Sequence, residues 1–269
     1  MSSERRLPYA KRLTREEVAP SPTPFVLTKG VSLPSLLFAL SFFLFALSSC
    51  GSSQPQPLIF GDPVWTDGEI SVYRVTNRED RIVGTAAFQV SRRQQDDGWT
   101  LIREILDAGV SEQATIEMQP VGYRPVYSYL VRTFGGGKQV VETQFEGALV
   151  DIALTNRQGA TVYQRVQVPS DIRDERTLLL ILRALPLAQG YATRINSFLP
   201  IAGQMERVAL QVRRKENVTV PAGSFDTWVV ELKANDRTTR AWVAQTAPFP
   251  VVKFIDGRSQ ATFELTGFE

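Results

Sequence analysis

The chain has 269 residues, 43% hydrophobic and 22% charged, enough apolar material to bury a sizeable core. Its formal charge of +2 is uneven: residues 1–49 hold six basic and three acidic residues, leaving 24 basic and 25 acidic downstream, and so near-neutral a body has no field to steer a nucleic-acid backbone. It has no histidine and one cysteine, which excludes a Ser–His–Asp or Cys–His catalytic site, a His-ligated metal, an internal disulfide and a thiolate metal cluster.

The first apolar element runs from Val31 to Leu47, with Lys29 just ahead and Ser48 and Ser49 just behind. Charge, apolar stretch and small residues form the pattern of a secretory signal. At about 17 residues the stretch is at the lower limit for crossing a bilayer as a helix. A stop-transfer helix usually has basic residues at its cytoplasmic exit, whereas this exit reads Cys-Gly-Ser-Ser-Gln-Pro-Gln-Pro. Leu47-Ser48-Ser49-Cys50 resembles the lipobox of bacterial lipoproteins. That resemblance implies Leu47 as the recognition position, Ser48 and Ser49 as the small cleavage positions, and Cys50 as the residue whose sulfur receives diacylglycerol before the signal is removed. Two or more acyl chains hold a protein on a bilayer far better than one. The competing readings are an uncleaved transmembrane helix and a redox thiol; the latter lacks a nearby basic residue to lower its pKa.

Residues 1–28 are long for the first region of a signal and rich in Pro and charge, and no methionine lies between Met1 and Met118. The expected start is therefore a non-standard codon near Val26, Leu27 or Val31, with residues 1–28 a misassigned extension or a disordered cytoplasmic tail. Residues 29–49 are then the signal peptide, residues 50–67 a flexible Ser/Gln/Pro-rich tether on the anchor, and residues 68–269 a single β-rich domain.

Beyond the tether, apolar and polar residues alternate with period two. Val141, Thr143 and Phe145 oppose Val140, Glu142 and Gln144; Val150, Ile152 and Leu154 oppose Asp151, Ala153 and Thr155. The same holds for Val208, Leu210 and Val212, and for Trp228, Val230, Leu232 and Ala234 against Val229, Glu231 and Lys233. Turn residues separate the runs, among them Gly135–Gly137, Asn156–Gly159 and Asn235-Asp236. About a dozen strands at this spacing predict an antiparallel sheet that curls, closes or stacks. One segment predicts a helix: acids at Asp171, Asp174 and Glu175, then Leu178, Leu179, Leu182 and Leu185 at helical spacing, then Pro186. Its leucine stripe suits a plug or lid on the sheet. The fold class expected is mainly β, an antiparallel curved sheet or half-barrel with one capping helix.

Three blocks carry a wider likeness: GEISVYRVTNREDRIVGTAAFQV, DERTLLLILRALPLAQG, and VPAGSFDTWVVELKANDRTTRAWVA followed by PFPVVKFIDGRSQATFELTGF. In order and spacing they resemble the domain-of-unknown-function 3108 family of bacterial envelope proteins, from about Gly68 to Phe268. The resemblance implies a secreted or lipid-anchored β-rich domain and supplies no catalytic residues. The third block also has a local explanation: Pro221-Ala222-Gly223 is a turn, Asn235-Asp236 joins a hairpin, and Pro248 and Pro250 suit an edge or loop.

The remaining motifs read as structure. Residues 134–138, Phe-Gly-Gly-Gly-Lys, lack the spacing of a phosphate loop and sit between strands. Asn217-Val218-Thr219 is a glycosylation sequon without meaning in a bacterial lipoprotein. The carboxylate pairs Glu104/Asp107 and Glu142/Glu146 read as solvated surface, since Glu142 and Glu146 oppose Val141 and Phe145. The aromatics can fill a core or line a pocket. The expected function is a non-catalytic, cofactor-free binding role in the envelope: a hydrophobic small molecule or lipoprotein held in a pocket lined by Trp228, Val230, Leu232 and Phe263. A protein-interaction scaffold and a carboxylate-dependent hydrolase are the alternatives. The expected partners are the membrane, through Cys50, and a hydrophobic ligand or envelope protein.

Overall fold

Alternating side chains keep the backbone extended, and the Gly, Asn and Asp residues between the runs reverse it. A computed structural model describes residues 54–269, which build a 15-stranded sheet. The first half holds β1 (Glu69–Thr76), β2 (Ile82–Arg92), β3 (Trp99–Asp107), β4 (Val110–Met118), β5 (Pro125–Phe134), β6 (Gly137–Glu146), β7 (Leu149–Thr155) and β8 (Thr161–Gln167). The second holds β9 (Arg173–Asp174), β10 (Ala192–Leu199), β11 (Gln204–Val220), β12 (Gly223–Ala234), β13 (Arg237–Ala244), β14 (Val251–Ile255) and β15 (Thr262–Phe268).

The strand order is β8-β7-β6-β5-β4-β3-β2-β1-β15-β14-β13-β12-β11-β10-β9. The first and last strands, β1 and β15, pair at the centre, and the two halves meander outward from them. Pairing is antiparallel except between β9 and β10. A sheet this wide curls to hide its apolar face. The fold is thus a mainly β, open, curved antiparallel sheet. Candidate helix, signal and lipidation residues ahead of Gln54, Cys50 included, lie outside the described residues. Among the described residues no helix is long and apolar enough to cross a membrane.

The expected helix is much shorter than its leucine spacing predicts. A 3-10 turn (Glu175–Thr177), α1 (Leu178–Ile181) and a second 3-10 turn (Leu182–Ala184) follow one another. Asp174 belongs to β9, and its carboxylate accepts the Arg176 backbone N–H at 2.9 Å. Four α-helical residues cannot sustain themselves in water; packing holds them. Leu182 and Leu185 join one buried cluster with Tyr73, Val230 and Phe254, while Ile172, Leu180 and Ile181 join another with Trp99, Ile116 and Phe145. The segment is a strap on the inner side of the sheet, packed into both apolar clusters.

Local irregularities aim the strands. A bulge in β11 between Val212 and Arg214 exchanges the buried face of the β11–β12 hairpin. Val208, Leu210 and Val212 are buried before it, and Val218 and Val220 beyond it. Adjacent Val229 and Val230 are therefore both fully buried, from opposite faces. The turns behave as read: Gly135 and Gly136 join β5 to β6, Pro221-Ala222 joins β11 to β12, and Asn235, at φ 53°, opens the two-residue turn into β13. Gly84 has a different role. It pairs with Val75 on β1 and Asp107 on β3, and a Cβ there would sit 1.6 Å from the Leu106 carbonyl oxygen. Gly84→Ala should lower unfolding stability by about 1–3 kcal/mol, the usual cost of overpacking, read as a lower midpoint in urea denaturation.

Candidate ligand site at one end of the half-barrel

A cavity of about 530 Å³ opens at the end of the sheet where the β3–β4, β10–β11 and β12–β13 turns and the β14–β15 loop meet. Its walls are Ile105 of β3, Leu130 of β5, Val208 of β11, Leu232 of β12, Phe254 of β14 and Phe263 of β15, and the strap supplies Leu178 and Leu179. Phe254 and Phe263 stack with ring centroids 4.1 Å apart. The cavity exists because the strap fills only part of the concave face.

Charged side chains ring this apolar wall. Arg132 Nε meets Glu112 at 3.0 Å, Arg237 pairs with Glu206, and Arg258 lies 3.4 Å from Glu175. Burial pushes the Glu175 carboxyl above its ordinary value, with Arg258 pulling the other way. Arg103 is different. Its Nη1 donates to the Arg176 carbonyl at 3.3 Å, and its guanidinium lies 4.8 Å over the Phe88 ring. No carboxylate among the described residues makes an ion pair with it, and burial lowers its pKa.

Beneath the cavity, two arginines fasten the strap. Arg176 donates to both Asp174 oxygens, at 2.8 and 2.6 Å, and to Ser128 Oγ at 2.9 Å. Arg183 forks onto Glu69 of β1 and donates to the Pro248 carbonyl at 2.9 Å. All four ionised side chains are at least 94% buried.

Of the four residues expected to line a pocket, Leu232 and Phe263 border the cavity. Val230 is wholly buried in the core. Trp228 requires a correction: it does not line the cavity. Past the β11 bulge its face of the hairpin turns outward, leaving the ring half-buried beneath Lys215, whose Nζ is 4.8 Å from the ring centroid. Glu142 and Glu146 sit exposed on β6. Arg103, Arg176 and Arg183 escaped the sequence reading. Arg103 was visible as an interruption in Leu101, Arg103 and Ile105, one face of β3; Arg183 interrupts the leucine-rich run and Arg176 sits just ahead of it.

The chain belongs to the family described as protein of unknown function (DUF3108), which matches residues 71–266. No curated protein matches the chain. Among solved structures it is similar to a beta-barrel-like protein of domain of unknown function DUF1849 from Brucella abortus, at 11% identity and TM-score 0.51, covering 76% of this chain and 97% of the other. It also matches an inferred lipoprotein from Parabacteroides distasonis (11% identity, TM-score 0.30, 80% and 100% covered). A third match is an inferred exported protein with a YmcC-like fold from Bacteroides fragilis (11%, 0.28, 79% and 100%). The Brucella likeness supports the barrel-like fold.

Arg183→Met leaves Glu69 buried without its cation and should cost about 3–5 kcal/mol of stability, with Glu69→Gln in the same chain recovering part of it; urea denaturation of the single and double variants reads both. Glu175 has a raised folded-state pKa, so its ionised form opposes folding above that pKa, and the opposition vanishes once pH falls below the unfolded value. Glu175→Gln should therefore raise Tm at pH 7 and leave it unchanged near the acid end of the carboxylate range, about pH 3; an unchanged Tm at pH 7 would contradict the assignment.

Proposed function

We propose that this protein is a lipid-anchored envelope protein that binds a hydrophobic small molecule without transforming it. The observation that carries the reading is the apolar cavity of about 530 Å³ at the open end of the sheet, within the roughly 300–1,000 Å³ of small-ligand sites. The lipobox-like Leu47-Ser48-Ser49-Cys50 supports an acyl anchor and an extracytoplasmic location. Of the five carboxylates that border the cavity, Glu112, Glu206 and Glu175 are each engaged by an arginine, and Asp256 accepts from the backbone N–H groups of Arg258 and Ser259. Only Asp107 is left over, whereas acid–base chemistry asks for a free, positioned pair, which supports a non-catalytic role.

A second reading, a protein-interaction scaffold, is favoured by β8. This edge strand has Val162 and Tyr163 62% and 81% exposed, and an unpaired edge can accept a strand from another chain.

Native mass spectrometry of the full-length gene product, extracted from its own cells, tests the first reading. The expected spectrum shows a chain beginning at Cys50, heavier by a diacylglyceryl group, with a co-purified amphiphile released on collisional activation. An unmodified Cys50 would remove the anchor, and a ligand-free spectrum would remove the binding role.

A further inference from the structure

We propose that the cavity recognises a single-chain amphiphile by an anionic head group, bound between Arg103, Arg176 and Ser197. The inference deepens the binding role just proposed and rests on it.

Three polar atoms of the cavity lining are buried and have no hydrogen-bond partner among the described residues: Arg103 Nε, Arg176 Nη1 and Ser197 Oγ. They belong to residues of three different elements that border the cavity, β3, the strap and β10. Two are cationic donors and the third is a hydroxyl that can donate. The other arginines bordering the cavity have carboxylate partners: Arg132 has Glu112, Arg237 has Glu206 and Arg258 has Glu175. Arg176 spends its other two nitrogens on Asp174 and Ser128. Arg103 has a carbonyl and an aromatic face, but no counter-ion.

Arg103 is partly buried with no ion-pair partner among the described residues, which is costly, and desolvation lowers its pKa although Glu112, Glu175 and Asp174 pull the other way. An anionic oxygen set among these donors would satisfy them and neutralise Arg103. Arginine is suited to this because its planar fork binds carboxylate and phosphate alike. From Arg103 the lining runs through Ile105 and Leu178 to Leu232, Phe254 and Phe263, an apolar path for one alkyl tail. Head and tail thus meet complementary surfaces within one cavity.

The test uses the full-length chain in maltoside micelles, photolabelled with diazirine-bearing palmitic acid, hexadecyl phosphate or hexadecanol, and the labelled peptides mapped. The expected result is cavity peptides of β3, β12 and β15 labelled about tenfold more by an anionic probe than by the alcohol, the margin of one charge-assisted hydrogen bond. Whether the acid or the phosphate labels better identifies the head group. Arg103→Met should erase the preference, while exposed Arg194→Met retains it. Equal cavity labelling by all three probes in the unmodified protein would overturn the head-group assignment and leave the binding role standing. Absence of cavity labelling by any probe would overturn both. The comparison between probes does not depend on the Arg103 variant folding.

Discussion

Two buried arginines hold the strap against the wall it fills: Arg183 through its pair with Glu69 of β1, and Arg176, paired with neighbouring Asp174, through Ser128 of β5. Their place in the fold follows from the width of the sheet. Fifteen strands present far more apolar surface on the concave side than their own side chains can cover. The strap supplies the missing volume through Leu180, Ile181, Leu182 and Leu185. Apolar filling alone gives no direction, because greasy contacts tolerate sliding and rotation. Forked ion pairs do not, so they fix where the strap starts and stops. Where it stops, the cavity begins.

The centre of the sheet is equally constrained. Because β1 pairs with β15, residues from the two ends of the described chain share one ladder. Outward Glu264 of β15 receives Arg74 at 2.6 Å and Lys253 at 3.0 Å, which ties β1, β15 and β14 across that junction. Tyr73 on the inner side donates to the Val251 carbonyl at 2.9 Å, and burial raises its pKa to about 12. The β11 bulge then lets one hairpin serve two faces, with Val212 and Val230 inside before it and Val218 and Val229 buried beyond it. Chain reversals cost little here because Gly and Asn already occupy the turns.

Strand existence was legible in the residues because Val141, Thr143 and Phe145 alternate with polar neighbours, and the family blocks preserved the order of the elements. Strap length was not. A stripe at Leu178, Leu179, Leu182 and Leu185 has the same period whether it covers one face of a long helix or lines a short turn enclosed on all sides. Trp228 was misplaced for a related reason: alternation is blind to one extra residue on the partner strand, and the bulge lies in β11, not β12. The site arginines were hidden by the habit of reading charge as surface. Arg103 shares a face with Leu101 and Ile105, and only the folded wall shows that face to be internal.

The two sheet edges, β8 and β9, are consecutive in the chain although they lie at opposite limits of the strand order. Only Val168–Ile172 separates Gln167 from Arg173. Val168 donates to the Ala148 carbonyl at 2.8 Å, and Ile172 is fully buried. The polypeptide itself bridges the seam that hydrogen bonds leave unsealed. Fully stretched, that bridge reaches roughly 20 Å, which caps how far the margins can part at that point. The wrapped sheet is a sleeve whose two margins are stitched together by its own chain.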